Sequence, residues 1–202
     1  MLGKFRRLSH KFITPTSKVF ARAGLTPNLI TAMDLFSSIA STFLLATHRP
    51  LEAAISIILS GFLDAVDGEV ARLTGKKSGF GATLDAVVDR YTEFFQALGA
   101  IFGGYVAWWL GMAVAFTMNA SSYARARAES TGGMSECSVG LIERPEKLTL
   151  LALGAIMTFF YTNAMEYIFW LLLILGQVTV LQRLNANRKH SKLSATDKSL
   201  QR

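Results

Sequence analysis

Four acidic side chains stand where an apolar chain would normally exclude them. Asp64 and Asp67 form one pair and Asp85 and Asp89 another. Members of each pair are three or four residues apart, so on a helix both carboxylates point to one face, about one turn apart. Placed near the middle of a bilayer, each Asp costs roughly 2.5–3.5 kcal/mol, and four without partners would cost on the order of 10 kcal/mol. Arg72 and Arg90 can neutralise two of them at best. Four oxygen donors facing one another suit a hard divalent cation better than a salt-bridge cluster. The absence of nearby His or Cys favours Mg²⁺, with Mn²⁺ able to substitute, over zinc. Two ions held this way would neutralise a diphosphate and clamp a displacement at phosphorus, so the expected substrate is phosphorylated.

The residues between the pairs extend the pattern. Gly68 follows Asp67 and Ala71 comes one turn later, leaving that face nearly bare, and Arg72 offers a fork for a phosphate oxygen. Gly68 alone would be read as a helix-packing residue. Its position between Asp67 and Arg72 favours close approach of a flat group instead. Ser78, Gly79 and Gly81 enter the second acidic segment, where a hydroxyl and exposed amides can meet the same phosphates.

The elements that must carry these groups are apolar. Of 202 residues, 51% are hydrophobic and only 17% charged, a deficit in charge that points away from a water-soluble domain. Sixteen Gly, four Pro and one cysteine exclude collagen-like and disulfide-stapled scaffolds, and Cys137 says nothing about compartment. Apolar stretches at 29–47, 51–71, 80–102, 105–124, 147–163 and 166–182 are each near the ~20 residues that span a bilayer. The expected fold is all-α: a polytopic membrane protein of six transmembrane helices, preceded by an N-terminal amphipathic interfacial helix. That first segment, with Lys4, Arg6, Arg7, Lys11, Lys18 and Arg22 among apolar residues, is expected to lie on the membrane surface with an interruption near Pro15. It lacks the continuous apolar core of a signal peptide.

With six crossings, Arg72, Lys76, Lys77, Arg125, Arg127, Arg144, Lys147, Arg183 and the basic residues after it share one side, and only Arg49 lies on the other. This places both termini and the acidic site in the cytoplasm of a multi-pass cell-membrane protein. The organisation expected is a juxtamembrane segment over 1–25, a six-helix domain over 26–185 and a basic tail over 186–202. The 21 basic residues against 14 acidic ones are then explained by topology and anionic headgroups, so no nucleic-acid partner is expected. Trp108 and Trp109 read as an aromatic belt, the Met and Phe residues as packing, and His10, His48 and His190 as having no ligand role. Asp34, alone in the first crossing, reads as a polar contact with a neighbouring helix rather than a catalytic group.

Read together, Asp64-x2-Asp67-Gly68-x2-Ala71-Arg72-x8-Gly81-x3-Asp85-x3-Asp89 matches the signature of the CDP-alcohol phosphatidyltransferase family, and Pro27-Asn28-x2-Thr31 and the six-helix layout also resemble it. The resemblance implies transfer of a lipid phosphatidyl group from a CDP-linked lipid to an alcohol, with release of CMP. It implies Asp64, Asp67 and Asp85 as metal ligands, with Asp89 near a second metal and serving as general base. Asn28, Thr31, Gly68, Ala71, Arg72 and Ser78 would meet the CDP-lipid, and a homodimer is implied as well. The stretches Tyr123–Glu129 and Ile142–Lys147, with Arg183 after Gln182, resemble those of members, bacterial and archaeal, whose acceptor is inositol 1-phosphate. In them Arg125, Arg144 and Arg183 correspond to the residues that bind the acceptor phosphate. Arg125 stands where the bacterial pattern has Lys, which keeps the charge and changes its geometry. Glycerol 3-phosphate is the rival acceptor. A rival of another class, an ion transporter using the intramembrane acids, leaves Gly68, Ala71 and Arg72 unexplained.

Overall fold

The computed structural model describes residues 13–200, with side chains over 13–191. All regular structure within it is helical. A first helix, α1, covers 13–22. It is followed by α2 (Pro27–Ala46), α3 (Pro50–Leu73), α4 (Gly79–Phe102), α5 (Trp108–Ser130), α6 (Arg144–Phe160) and α7 (Ala164–Leu200).

Each long helix begins on a local signal. Thr26 caps α2, accepting from the Leu29 N–H, and Ser78 caps α4, accepting from Gly81; Pro27 and Pro50 open α2 and α3 with φ already set for a helix. At the head of α6, Pro145 lies in the first turn and the Glu143 N–H donates to Glu146 Oε2 at 3.1 Å. The helix therefore begins at Arg144, before the apolar run that starts at 147.

α2 to α7 alternate in direction and close into a ring. α2 packs between α3 and α4, α4 meets α5, α5 meets α7, α7 meets α6, and α6 returns to α3. The main apolar core lies toward the end with the short joints, around Leu45, Ile57, Leu110, Met165, Phe169 and Leu172. At the other end a smaller cluster of Ile30, Leu63, Val66 and Val70 is covered by Ile13, Phe20 and Leu25. The ring is thus packed solid at one end and lined with polar groups toward the other.

α2 is held to its neighbours through small polar side chains. Ser37 Oγ donates to the Ser56 carbonyl at 2.9 Å, Ser38 Oγ to that of Thr92 at 3.0 Å and Thr42 Oγ1 to that of Phe95 at 2.7 Å. A Cβ on Gly99 would fall 2.7 Å from Thr42 Cα, so the α2–α4 crossing needs glycine there. Gly111 on α5 is likewise closely covered within the chain, by Ile101.

One sequence expectation changes, and two gain detail. Helix runs through Pro15, near the first described helical position, so no interruption appears there. Part of the apolar face of α1 rests on α2 and α3 rather than being left wholly for a membrane surface. α7 continues as helix to Leu200, past the expected start of the tail. Residues 1–12, including His10, lie outside the described residues. Among the described residues, α2 and the Ala164–Ser191 stretch of α7 are long and apolar enough to cross a membrane. α3 and α4 carry the acids and α6 has only 17 residues, which sets them apart from a plain apolar span.

Candidate metal and substrate site

The polar end of the ring gathers side chains from α2, α3, α4 and α6. One carboxylate oxygen each from Asp64, Asp67 and Asp85 lies within 4.8 Å of the others, and the same holds for Asp34, Asp64 and Asp89. Asp64 belongs to both groups. The antiparallel turn between α3 and α4 therefore brings the two acidic faces together as their spacing predicts, and α2 adds a fifth acid. These donors are all carboxylate oxygens, the set a hard divalent cation takes. A cation is already lodged among them: Arg144 from α6 pairs through Nη1 with Asp64 and, at 2.7 Å, with Asp89 Oδ1, and through Nη2 with Asp34 Oδ2 at 3.0 Å. Concentrated negative charge at this place is thus balanced by positive charge, and the cluster fits a metal.

Neighbouring hydroxyls orient the acids. Thr31 Oγ1 donates to Asp67 Oδ2 at 2.6 Å, and Ser60 Oγ donates to Asp34. Asp89 also has Arg90 Nη2 at 3.5 Å from Oδ2. Beyond Arg90 a buried pair continues down the same face of α4, with Arg90 Nε 3.2 Å and Lys147 Nζ 3.0 Å from the Glu93 carboxylate.

A Cβ on Gly68 would meet nothing within 4 Å, so helix packing does not account for that glycine. Ala71 beside it is partly exposed, and Arg72 is exposed, with Nη2 2.7 Å from Glu69 Oε1. Ser78 and Asn28 lie together: a Cβ on Gly81 would be 3.1 Å from Ser78 Oγ and 3.5 Å from Asn28 Oδ1. The expected lipid-nucleotide residues thus flank the acids along α2, α3 and the start of α4.

On the other flank a cavity of about 930 Å³ is lined by Asp64, Arg125, Ser138, Glu143 and Arg144 among others. Two of the three arginines expected at the acceptor phosphate therefore share one space with a carboxylate of the cluster. Arg125 Nε is 3.0 Å from Glu129 Oε1, which also accepts from the Cys137 N–H at 2.9 Å. Arg183 does not line this cavity. Only 5% exposed, it donates to the carbonyls of Val139 at 3.0 Å and Ser121 at 2.5 Å, bracing the loop between α5 and α6. One turn on, Asn187 Nδ2 donates to the Gly132 carbonyl at 3.2 Å, and His190 Nε2 lies 3.0 Å from that of Gly133.

The polar contact with a neighbouring helix expected of Asp34 is present, to Ser60 and Arg144, but its part in the cluster was not foreseen. Nor was Glu93 or its pairing with Lys147, which the sequence placed only among the cytoplasmic basic residues. Both signals exist in the pattern: Thr31, Asp34, Ser38 and Ser41 make a polar stripe at helical spacing on α2, and Glu93 is the next step after Asp85 and Asp89 on α4.

Comparison with known proteins gives a consistent result. The family model described as CDP-alcohol phosphatidyltransferase matches residues 24–182. An archaetidylinositol phosphate synthase of Pyrococcus horikoshii is 29% identical over 193 residues, covering 96% of this chain and 100% of that protein. A phosphatidylinositol phosphate synthase of Mycobacteroides abscessus is 34% identical over 193 residues, covering 88% and 84%. Among solved structures, the Mycobacterium tuberculosis phosphatidylinositol phosphate synthase with CDP-DAG bound superposes with a TM-score of 0.78 at 28% identity, covering 88% of this chain and 94% of that one. The same enzyme in complex with manganese and citrate gives 0.77 at 29%, covering 87% and 88%.

Proposed function

This chain belongs to the CDP-alcohol phosphatidyltransferase family, and from that membership we propose that it moves the phosphatidyl or archaetidyl group of a CDP-linked lipid onto inositol 1-phosphate, releasing CMP. The observation that carries this reading is the meeting of Asp64, Asp67, Asp85 and Asp89 beside a cavity that also holds Arg125 and Arg144.

Asp64, Asp67, Asp85 and Asp89 would hold two Mg²⁺ ions, or Mn²⁺ in their place, and such ions neutralise a diphosphate and the charge left on departing CMP. The remaining work falls to side chains. Gly68 and Ala71 leave room for the nucleotide beside α3. Arg72, Ser78 and Asn28 contact the CDP-lipid, while Thr31, already bonded to Asp67, fixes that carboxylate. Arg125 and Arg144 bind the acceptor phosphate and turn the acceptor hydroxyl toward Asp89, with Arg183 supporting the loop above them. Asp89 accepts the hydroxyl proton. The hydroxyl oxygen bonds to the lipid-proximal phosphorus as its bond to the bridging oxygen breaks, and CMP leaves with that electron pair. Positioning and electrostatics account for such a step, with no covalent enzyme intermediate.

The same proposal places α2 to α7 as six crossings of the cell membrane, α1 at the interface, and both termini and the site in the cytoplasm. The outward faces support it: Phe36 and Phe43 on α2, Ile55 on α3, Phe102 on α4 and Phe116 on α5 are exposed, as they would be toward lipid. The six-helix domain is taken as 26–185, against 24–182 for the family match, with the segments on either side as appendages, and a homodimer completes the assembly.

Assaying CMP release from a CDP-linked lipid, with and without Mg²⁺, tests the acceptor. Turnover with inositol 1-phosphate supports the reading. Turnover with glycerol 3-phosphate alone would replace the acceptor while leaving the donor chemistry in place.

A further inference from the structure

The Arg144 guanidinium has two edges that face different partners. Nη1 faces Asp64 and Asp89, both proposed metal ligands. Nη2 faces Asp34 Oδ2 at 3.0 Å and Thr92 Oγ1 at 3.4 Å. Asp34 is itself firmly placed, 1% exposed on α2 with Ser60 of α3 donating to its other oxygen. The Arg144 side chain is only 11% exposed, so losing all its carboxylates at once would leave a buried charge unpaired.

A divalent cation that takes Asp64 and Asp89 must displace the Nη1 edge, and Asp34 is the carboxylate that then remains to Arg144. We propose that Asp34 is a positioning residue: it keeps Arg144 paired through Nη2 when metal claims the other two acids, and leaves Nη1 turned to the cavity for the acceptor phosphate. Arg144 is thereby the resident cation of the metal-free site. Metal enters by exchange with it, and the acceptor phosphate finds its arginine free only after metal has bound. This inference rests on the metal assignment made under the proposed function and adds to it an order of binding.

The test is Mn²⁺ affinity, read from the electron paramagnetic resonance signal of free Mn²⁺, on the full-length protein in detergent without substrates. Arg144→Gln should bind Mn²⁺ more tightly than the parent, because the competitor is gone. Asp34→Asn should bind it more weakly, by about three- to thirtyfold, because Arg144 then has only metal ligands to pair with. In the Arg144→Gln background the effect of Asp34→Asn should shrink to a small remainder. An undiminished effect there would make Asp34 a metal ligand and overturn the proposal, as would no effect of Asp34→Asn in either background. Should Asp34→Asn fail to fold, Ser60→Ala loosens the same carboxylate and should show the same dependence on Arg144. Kinetically, Asp34→Asn should raise KM for inositol 1-phosphate more than KM for the CDP-lipid, with partial rescue by Asp34→Glu; an equal rise in both overturns the proposal. Absence of saturable Mn²⁺ binding in the parent protein and every variant would instead remove the metal assignment itself.

Discussion

In the proposed reaction Asp89 takes the acceptor proton, and its surroundings distinguish it from the other acids. One oxygen meets Arg144 and the other faces Arg90, and Asp34 and Asp64 each bring a carboxylate oxygen within 4.8 Å of one of its own. Asp89→Asn keeps the shape and removes the base. The expected outcome is CDP-lipid binding near that of the parent and CMP release slower by about 10²–10⁴-fold, measured by equilibrium binding and by turnover. Arg144→Ala should raise KM for the acceptor phosphate well above any change for the CDP-lipid, a split that steady-state kinetics reads directly. Asp64, Asp67, Asp85 and Asp89 were legible because paired acids at helical spacing in apolar surroundings demand an explanation. Asp34 was legible only as a polar contact with a neighbouring helix, since a single acid on one helix carries no information about which neighbours face it. Its partners, Ser60 and Arg144, are 26 and 110 positions away and meet it only once the ring has closed.

The helices place these residues through close crossings that the sequence only partly reveals. Six apolar stretches became six helices, yet α5 runs on to Ser130 and α6 starts at Arg144, because hydropathy does not count charged first and last turns as part of a span. Those turns are the ones that face the site. Gly99 sets the distance between α2 and α4, which carry Asp34 and Asp89. Gly99→Val should force the pair apart and destabilise the protein by about 1–3 kcal/mol, seen as a lower thermal midpoint in detergent. The Glu93–Lys147 pair ties α4 to α6 with both side chains almost wholly buried. Glu93→Leu strands the ammonium and should cost about 3–5 kcal/mol, whereas Glu93→Leu combined with Lys147→Met should recover much of that loss. Denaturation of the two variants side by side measures the difference.

At the scale of the molecule, the ring is filled with apolar side chains toward one end and with charge toward the other. Rigid packing below a polar mouth suits chemistry in which cations and anions must be held without rearrangement. Removing divalent ions with EDTA should stop CMP release, with Mg²⁺ or Mn²⁺ restoring it, and added Mn²⁺ should raise the thermal midpoint because it binds the folded form. The overall handing of charge to one end was readable from where the basic residues fall. The ring order was not, since no pattern along a single chain states that α7 returns between α5 and α6. That return has a practical side. Arg183, Asn187 and His190 hold the loop between α5 and α6, which lends Ser138 and Glu143 to the cavity beside the acids, yet all three lie beyond residue 182, where the match to the family model stops. A protein shortened to the family boundary would keep the five clustered acids and lose these three ties to the loop, so engineering at the carboxyl end reaches the wall of the proposed acceptor cavity.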